Sequence, residues 1–175
     1  MAALAGLVAG AWSGGHFPGA NTPALSPGVA GEPISEGDLL PHSLQLTALD
    51  GTPLPLAALR GRPLLVNVWA SWCPPCVEEM PELAAFSRQQ GDNGVQVIGL
   101  ALDEPQAVQA FLQRVPVPYR IALEPPGPAD SSVALGNARG LLPYTVLIDA
   151  QGRIVKRKLG PFAHGEIAGW ASSVN

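Results

Sequence analysis

The chain holds two cysteines, Cys73 and Cys76, with Pro74 and Pro75 between them. A structural zinc site wants four soft ligands, typically two such pairs. The other soft ligands here, His16, His42 and His164, are scattered along the chain. A structural staple is a poor reading too, because a loop of two residues removes little entropy from the unfolded chain. What remains is a pair that opens and closes, which is thiol–disulfide chemistry. Soft-metal binding by both thiolates, or an inert pair, are the alternatives.

The chemistry needs a scaffold, and the neighbouring sequence supplies one. Residues 64–69 (LLVNVW) form a continuous apolar run with β-branched residues, the pattern of a strand buried on both faces. A helix follows over 74–89, closed by Gly91. A strand running into a helix places Cys73 at the helix start. There the backbone N–H groups and the positive end of the dipole favour a thiolate. Cys73 is therefore expected to be the exposed nucleophile, and Cys76, one turn in, the resolving thiol. Pro74 and Pro75 are tolerated because first-turn N–H groups have no intrahelical partner.

The same reading runs along the chain. Residues 42–49 and 52–56 flank an Asp50-Gly51 turn as a hairpin. A second buried strand spans 95–102. Asp103 is expected to cap a helix reaching Arg114, with Pro105 in its first turn. Then come a short strand over 117–123, a short helix over 131–138, a strand over 144–149, a hairpin partner over 153–158 and a closing helix over 164–174. Strands alternating with helices predict a three-layer α/β/α sandwich around a central mixed sheet.

Length and charge set further bounds. The 175 residues suit one domain with extensions. Apolar residues make up 47% and charged residues 14%, which suits a packed core. A net charge of −4 is the wrong sign for a duplex-binding surface, so nucleic acid is not an expected partner. Residues 1–12 (MAALAGLVAGAW) are apolar but too few to span a bilayer, which takes about 20. No Lys or Arg precedes them, although Ala9-Gly10-Ala11 has a small-x-small cleavage pattern. They read as a remnant of an export signal or anchor. Residues 13–37 read as a flexible Pro/Gly linker, and 38–175 as the domain.

The stretch Val66-Asn67-Val68-Trp69-Ala70-Ser71-Trp72-Cys73-Pro74-Pro75-Cys76 resembles the active-site segment of thioredoxins, and within them the TlpA/ResA-type redoxins related to AhpC/TSA proteins. Three further stretches carry the likeness. Gly61-Arg62-Pro63-Leu64-Leu65-Val66-Asn67 resembles the family's lead-in strand. Pro81 resembles the proline that kinks the active-site helix. Leu142-Pro143-Tyr144-Thr145-Val146-Leu147-Ile148-Asp149 resembles the cis-proline loop and its strand. The resemblance implies a thioredoxin fold with an N-terminal β-hairpin and an inserted helix–strand segment at 103–138. It implies an enzyme tethered at the outer face of the bacterial inner membrane. No cofactor or metal is expected, and the chain is expected to act as a monomer. Its partners would be client protein disulfides and an upstream thiol electron donor, with clients of the cytochrome c maturation or copper-site assembly type.

Asn67 stands where thioredoxins place a buried aspartate, and an amide cannot act as the base. Glu79 lies three residues after Cys76 on the same helix face. It matches a glutamate that assists proton transfer in ResA-like proteins; a solvated helix glutamate beside Glu78 and Glu82 is the other reading. Pro143 is expected to be cis and to face the dithiol. Trp72 is expected to shield Cys73. Lys156-Arg157-Lys158 reads as a solvated edge strand. A Cu(I)-binding chaperone using both thiolates is the rival function. A peroxidase of the peroxiredoxin type would want a threonine where Ala70 stands.

The two prolines carry a prediction about direction. Of the three residues after Cys73, only Cys76 keeps an N–H that could bond its thiolate. A hydrogen bond to a charged group contributes about 1.5–3 kcal/mol, roughly 30–65 mV in a two-electron couple. Equilibration with glutathione or dithiothreitol buffers should therefore place the potential nearer to thioredoxin, about −270 mV, than to DsbA, about −120 mV. Pro75→His should move it upward; a potential at the DsbA end would contradict this reading.

Overall fold

The computed structural model describes residues 34–174. The apolar start, the linker up to residue 33 and His16 lie outside the described residues. Five strands form the central sheet, in the order β5-β4-β3-β6-β7. The middle strand β3 (Leu64–Trp69) pairs in parallel with β4 (Gln96–Leu102) and antiparallel with β6 (Tyr144–Ile148). Outside them lie β5 (Arg120–Glu124), parallel to β4, and β7 (Ile154–Leu159), antiparallel to β6. A separate hairpin, β1 (Gln45–Thr47) and β2 (Pro53–Pro55), precedes the sheet.

Side chains alternate along β3, so its two faces feed two cores. Leu65 and Trp69 join the core beneath α1 (Pro74–Gln89), α2 (Pro105–Arg114) and α4 (Glu166–Ala171). Leu64, Val66 and Val68 face the other core, roofed by the hairpin, a 3-10 turn at Leu56–Leu59 and Leu135 after the short α3 (Ser131–Ala134). The fold is the thioredoxin fold: a mixed sheet with helices on both sides, the second outer layer built largely from the hairpin. The segment α2-β5-α3 occupies the stretch expected as an insertion at 103–138. Trp69 meets Phe111 of α2 with ring centroids 5.3 Å apart, joining that insertion to the sheet.

Several boundaries differ from the sequence reading. β5 begins at Arg120 rather than 117, because Pro116 and Pro118 offer no N–H to a ladder. α3 stops at Ala134, and Gly136 turns the chain at φ 98°. The last α-helix starts only at Glu166, after Gly165 at φ 75°, and its tail is a 3-10 turn. Asp103 is not the cap of α2. Glu104 holds that position, while the Asp103 carboxylate accepts from the Ser71 and Glu104 N–H groups, both at 2.8 Å.

Residues 34–37, read as the end of the linker, are bound to β7. Gly37 N–H donates to the Ile154 carbonyl at 2.8 Å, and Arg157 donates to the Ile34 carbonyl at 3.2 Å. The ordered domain thus starts before residue 38. The basic triplet does lie on an edge strand, yet it is only half-exposed. Besides the Arg157 bond, Lys156 donates to the Trp170 carbonyl and Lys158 pairs with Glu166 at 2.8 Å.

Gly99 sits in β4 where Trp69, Tyr119 and Ile121 converge. A Cβ there would lie 2.9 Å from Ile121 Cδ1 and 3.0 Å from Trp69 Nε1. Gly99→Ala should lower unfolding stability by about 1–3 kcal/mol in urea titrations. Gly169→Ala, on α4 with open space around it, should be neutral or slightly stabilising.

Candidate active site

Cys73 occupies the N-cap of α1 with φ −98° and ψ 100°, the extended geometry of a cap residue. Its N–H donates to the Ala70 carbonyl at 3.2 Å, and its carbonyl accepts from Val77 N–H at 3.1 Å. Pro74 and Pro75 fill the first turn, where their missing N–H groups cost no intrahelical bond. Cys76 follows on the buried face, and the two sulfurs form a disulfide with Cα atoms 5.3 Å apart.

Contrary to the expectation of an exposed nucleophile, Cys73 is only 5% exposed in this oxidised form, and Cys76 is fully buried. Trp72, which precedes it, is 65% exposed and stands out from the surface. The loop leading to Cys73 is pinned from the neighbouring strand. Ser71 donates both its N–H, at 2.8 Å, and its hydroxyl, at 2.6 Å, to the Asp103 carboxylate just past β4. Sequence reasoning missed this clamp, because Asp103 before a proline-led helix carries every local sign of a cap.

Glu79 is buried at 4% exposure, so the solvated reading is set aside. One carboxylate oxygen accepts from Asn67 Nδ2 at 2.8 Å, and the other accepts from the Phe162 backbone N–H at 2.9 Å. Asn67 Nδ2 also donates to Thr145 Oγ1 at 3.1 Å. The register explains the cluster. Asn67 lies directly opposite Gly99 on one side and Thr145 on the other, all turned toward α1. Phe162 N–H and Thr145 had no signal in the sequence, since they reach the site only through the loop after β7 and the strand order. Glu78 is exposed, as expected.

Burial pushes the Glu79 carboxyl above the ordinary range, against the Phe162 N–H, the Asn67 amide and the Lys158 charge, which favour the ionised form. The Tyr119 hydroxyl is pushed well up, first by burial and then by the Glu79 charge. Lys158 holds the Glu166 carboxyl below its usual range and sits 5.3 Å above the Phe162 ring. The Leu142–Pro143 peptide is cis, and the Pro143 carbonyl accepts from Gly160 N–H at 2.9 Å. Among the described residues, no group of three or more His, Cys, Asp or Glu is placed to hold a metal ion.

A family model described as Redoxin matches residues 33–171. The chain belongs to the redoxin family. The thiol-disulfide oxidoreductase ResA of Bacillus cereus is 27% identical over 130 residues, covering 74% of this chain and 73% of its own. The thiol:disulfide interchange protein DsbE of Allochromatium vinosum is 39% identical over 105 residues, 59% of this chain and 54% of its own. A thioredoxin-related protein from Neisseria meningitidis superposes with a TM-score of 0.65 at 29% identity, over 74% of this chain and 97% of that one. With its Cys73–Cys76 disulfide, this redoxin is a thiol–disulfide oxidoreductase.

The raised Glu79 carboxyl has a consequence for stability. The folded state holds this proton more tightly than the unfolded chain, whose glutamates titrate near about 4.3. The contribution is fully present below that pH and is lost as pH rises through the folded value. In urea titrations across pH, Glu79→Gln should lose this slope and gain stability relative to the parent as pH rises. Parallel pH profiles for the two proteins would contradict the assignment.

Proposed function

We propose that this redoxin reduces disulfides in client proteins on the extracytoplasmic side of the bacterial inner membrane. Cys73 would be its nucleophile, Cys76 its resolving thiol and Glu79 its proton acceptor. The observation that carries the reading is the stacking of three groups at one helix start. Cys73 is at the N-cap, Cys76 one turn in, and Glu79 one turn further, buried against the sheet.

The chemistry follows from that placement. Cys73 thiolate attacks a client disulfide, forming a mixed disulfide and releasing one client thiolate. Cys76 then gives its proton to Glu79 and attacks the Cys73 sulfur. The Cys73–Cys76 bond forms, the second client sulfur leaves, and the Glu79 proton returns to solvent or to that thiolate. An upstream thiol donor restores the dithiol, since the cycle consumes two electrons. Asp103 holds the loop that aims Cys73, and Trp72 is the exposed side chain beside which the client docks. The backbone around Pro143 is the proposed client-pairing segment, although its own carbonyl is already taken by Gly160.

The tethered setting and a client of the cytochrome c maturation or copper-site assembly type follow from the resemblance of the Cys73–Cys76 segment to TlpA/ResA-type redoxins, and the protein would act as a monomer. Residues 1–12 would be the remnant of the export signal or anchor. Among the described residues, no helix is long and apolar enough to cross a membrane.

Cys76→Ala should leave clients disulfide-linked to Cys73 when the variant is expressed in its native cell. Mass spectrometry of the trapped adducts would identify them. Cys73→Ala should trap far less, and equal trapping through Cys76 would reverse the roles of the two thiols.

A further inference from the structure

Asn67 is 1% exposed, and its Oδ1 has no hydrogen-bond partner among the described residues. Its Nδ2 makes both of the side chain's contacts, to Glu79 Oε1 at 2.8 Å and to Thr145 Oγ1 at 3.1 Å. That orientation suits an ionised Glu79, whose two oxygens both accept from N–H groups. It does not suit the protonated acid, whose O–H needs an acceptor, and both of Glu79's hydrogen-bond partners are donors.

A half-turn of the Asn67 amide about its Cβ–Cγ bond exchanges the two atoms. Oδ1 would then face Glu79 and Thr145 with two lone pairs. It could accept the carboxyl O–H from one side and the Thr145 hydroxyl from the other. The Thr145 hydroxyl serves both orientations because it can accept as well as donate. One amide atom is unpartnered in either orientation, the carbonyl in one and the amino group in the other. What reverses with the Glu79 proton is the bond at Oε1, which the carboxylate accepts and the acid donates.

We propose that Asn67 is a positioning residue that turns with the charge of Glu79: its amide donates to the carboxylate and its carbonyl accepts from the carboxylic acid. Resting on the proton-acceptor reading of Glu79, this assigns that acid a hydrogen-bond partner in both of its states. The charge that Glu79 gains and loses is otherwise faced by Lys158 of β7, Glu166 of α4, the Tyr119 hydroxyl and the Phe162 N–H. Of the groups around this charge, Asn67 is the one hydrogen-bonded to Oε1, so its amide is placed to exchange a donor for an acceptor there. The raised affinity of the buried carboxyl for its proton keeps both states within reach of the working pH.

The test is nuclear magnetic resonance of the full, isotopically labelled oxidised protein between about pH 4 and 9, which spans the range in which a buried glutamate titrates. The Glu79 Cδ shift reports its protonation. Nuclear Overhauser contacts between the Asn67 Nδ2 protons and the Thr145 side chain report the amide. We expect these contacts above the Glu79 midpoint, and their loss below it with the same midpoint. In Glu79→Gln, the amide contacts should become independent of pH. Contacts to Thr145 that persist on both sides of the midpoint, or that change in Glu79→Gln with an unaltered midpoint, would overturn the proposal. The kinetics separate it from the reading beneath it. An unaltered pH profile of disulfide reduction in Glu79→Gln removes Glu79 from catalysis, while an amide that turns with Glu79 still upholds the Asn67 assignment.

Discussion

Glu79 leaves α1 on its inner face and is met by the Asn67 amide from β3 and by the Phe162 N–H from the loop after β7. Three parts of the chain, far apart in sequence, are joined through two oxygens. A charge that deep in an apolar core is costly unless hydrogen bonds satisfy it. Here both oxygens are satisfied, and the helix that carries the disulfide is fixed against the sheet by the same contacts. Lys158 supports the arrangement from β7, where it pairs with Glu166 and lies over the Phe162 ring.

That constraint explains why the central strand contains an asparagine among apolar residues. β3 is buried along its whole length, so a polar side chain there needs partners on the same face. The parallel and antiparallel ladders bring Gly99 and Thr145 abreast of Asn67. Thr145 offers a hydroxyl. Gly99 has no side chain and leaves its space to Trp69, Tyr119 and Ile121. Packing and chemistry therefore share a row of three residues, one on each of three adjacent strands.

The dithiol is held from the other end as well. The prolines at 74 and 75 set the first helical turn with fixed φ and without N–H donors. Asp103 takes the N–H and hydroxyl of Ser71, so the approach to Cys73 is tied to the end of β4. The disulfide thus sits between a loop clamped to one strand and a helix clamped to another. Trp72 remains outside this frame and exposed, which suits contact with a second protein rather than packing within this one.

Much of this was legible in the sequence, for local reasons. The C-P-P-C spacing, the apolar run before it and the helical pattern after it depend on neighbours a few residues apart. They sufficed to assign the dithiol, the strand-to-helix junction and the order of elements. Glu79's place on the face of Cys76 follows from the helical repeat alone. Its burial did not, because 3.6-residue periodicity says which face a residue shares, not what covers that face. The Asp103–Ser71 clamp, the Phe162 N–H and the Thr145 hydroxyl span separations of 32, 83 and 78 residues. Contacts of that range are set by strand order and register. A carboxylate before a proline-led helix looks the same in sequence whether it caps that helix or reaches across to another loop. Only the folded sheet, by setting which strand ends lie side by side, decides between them.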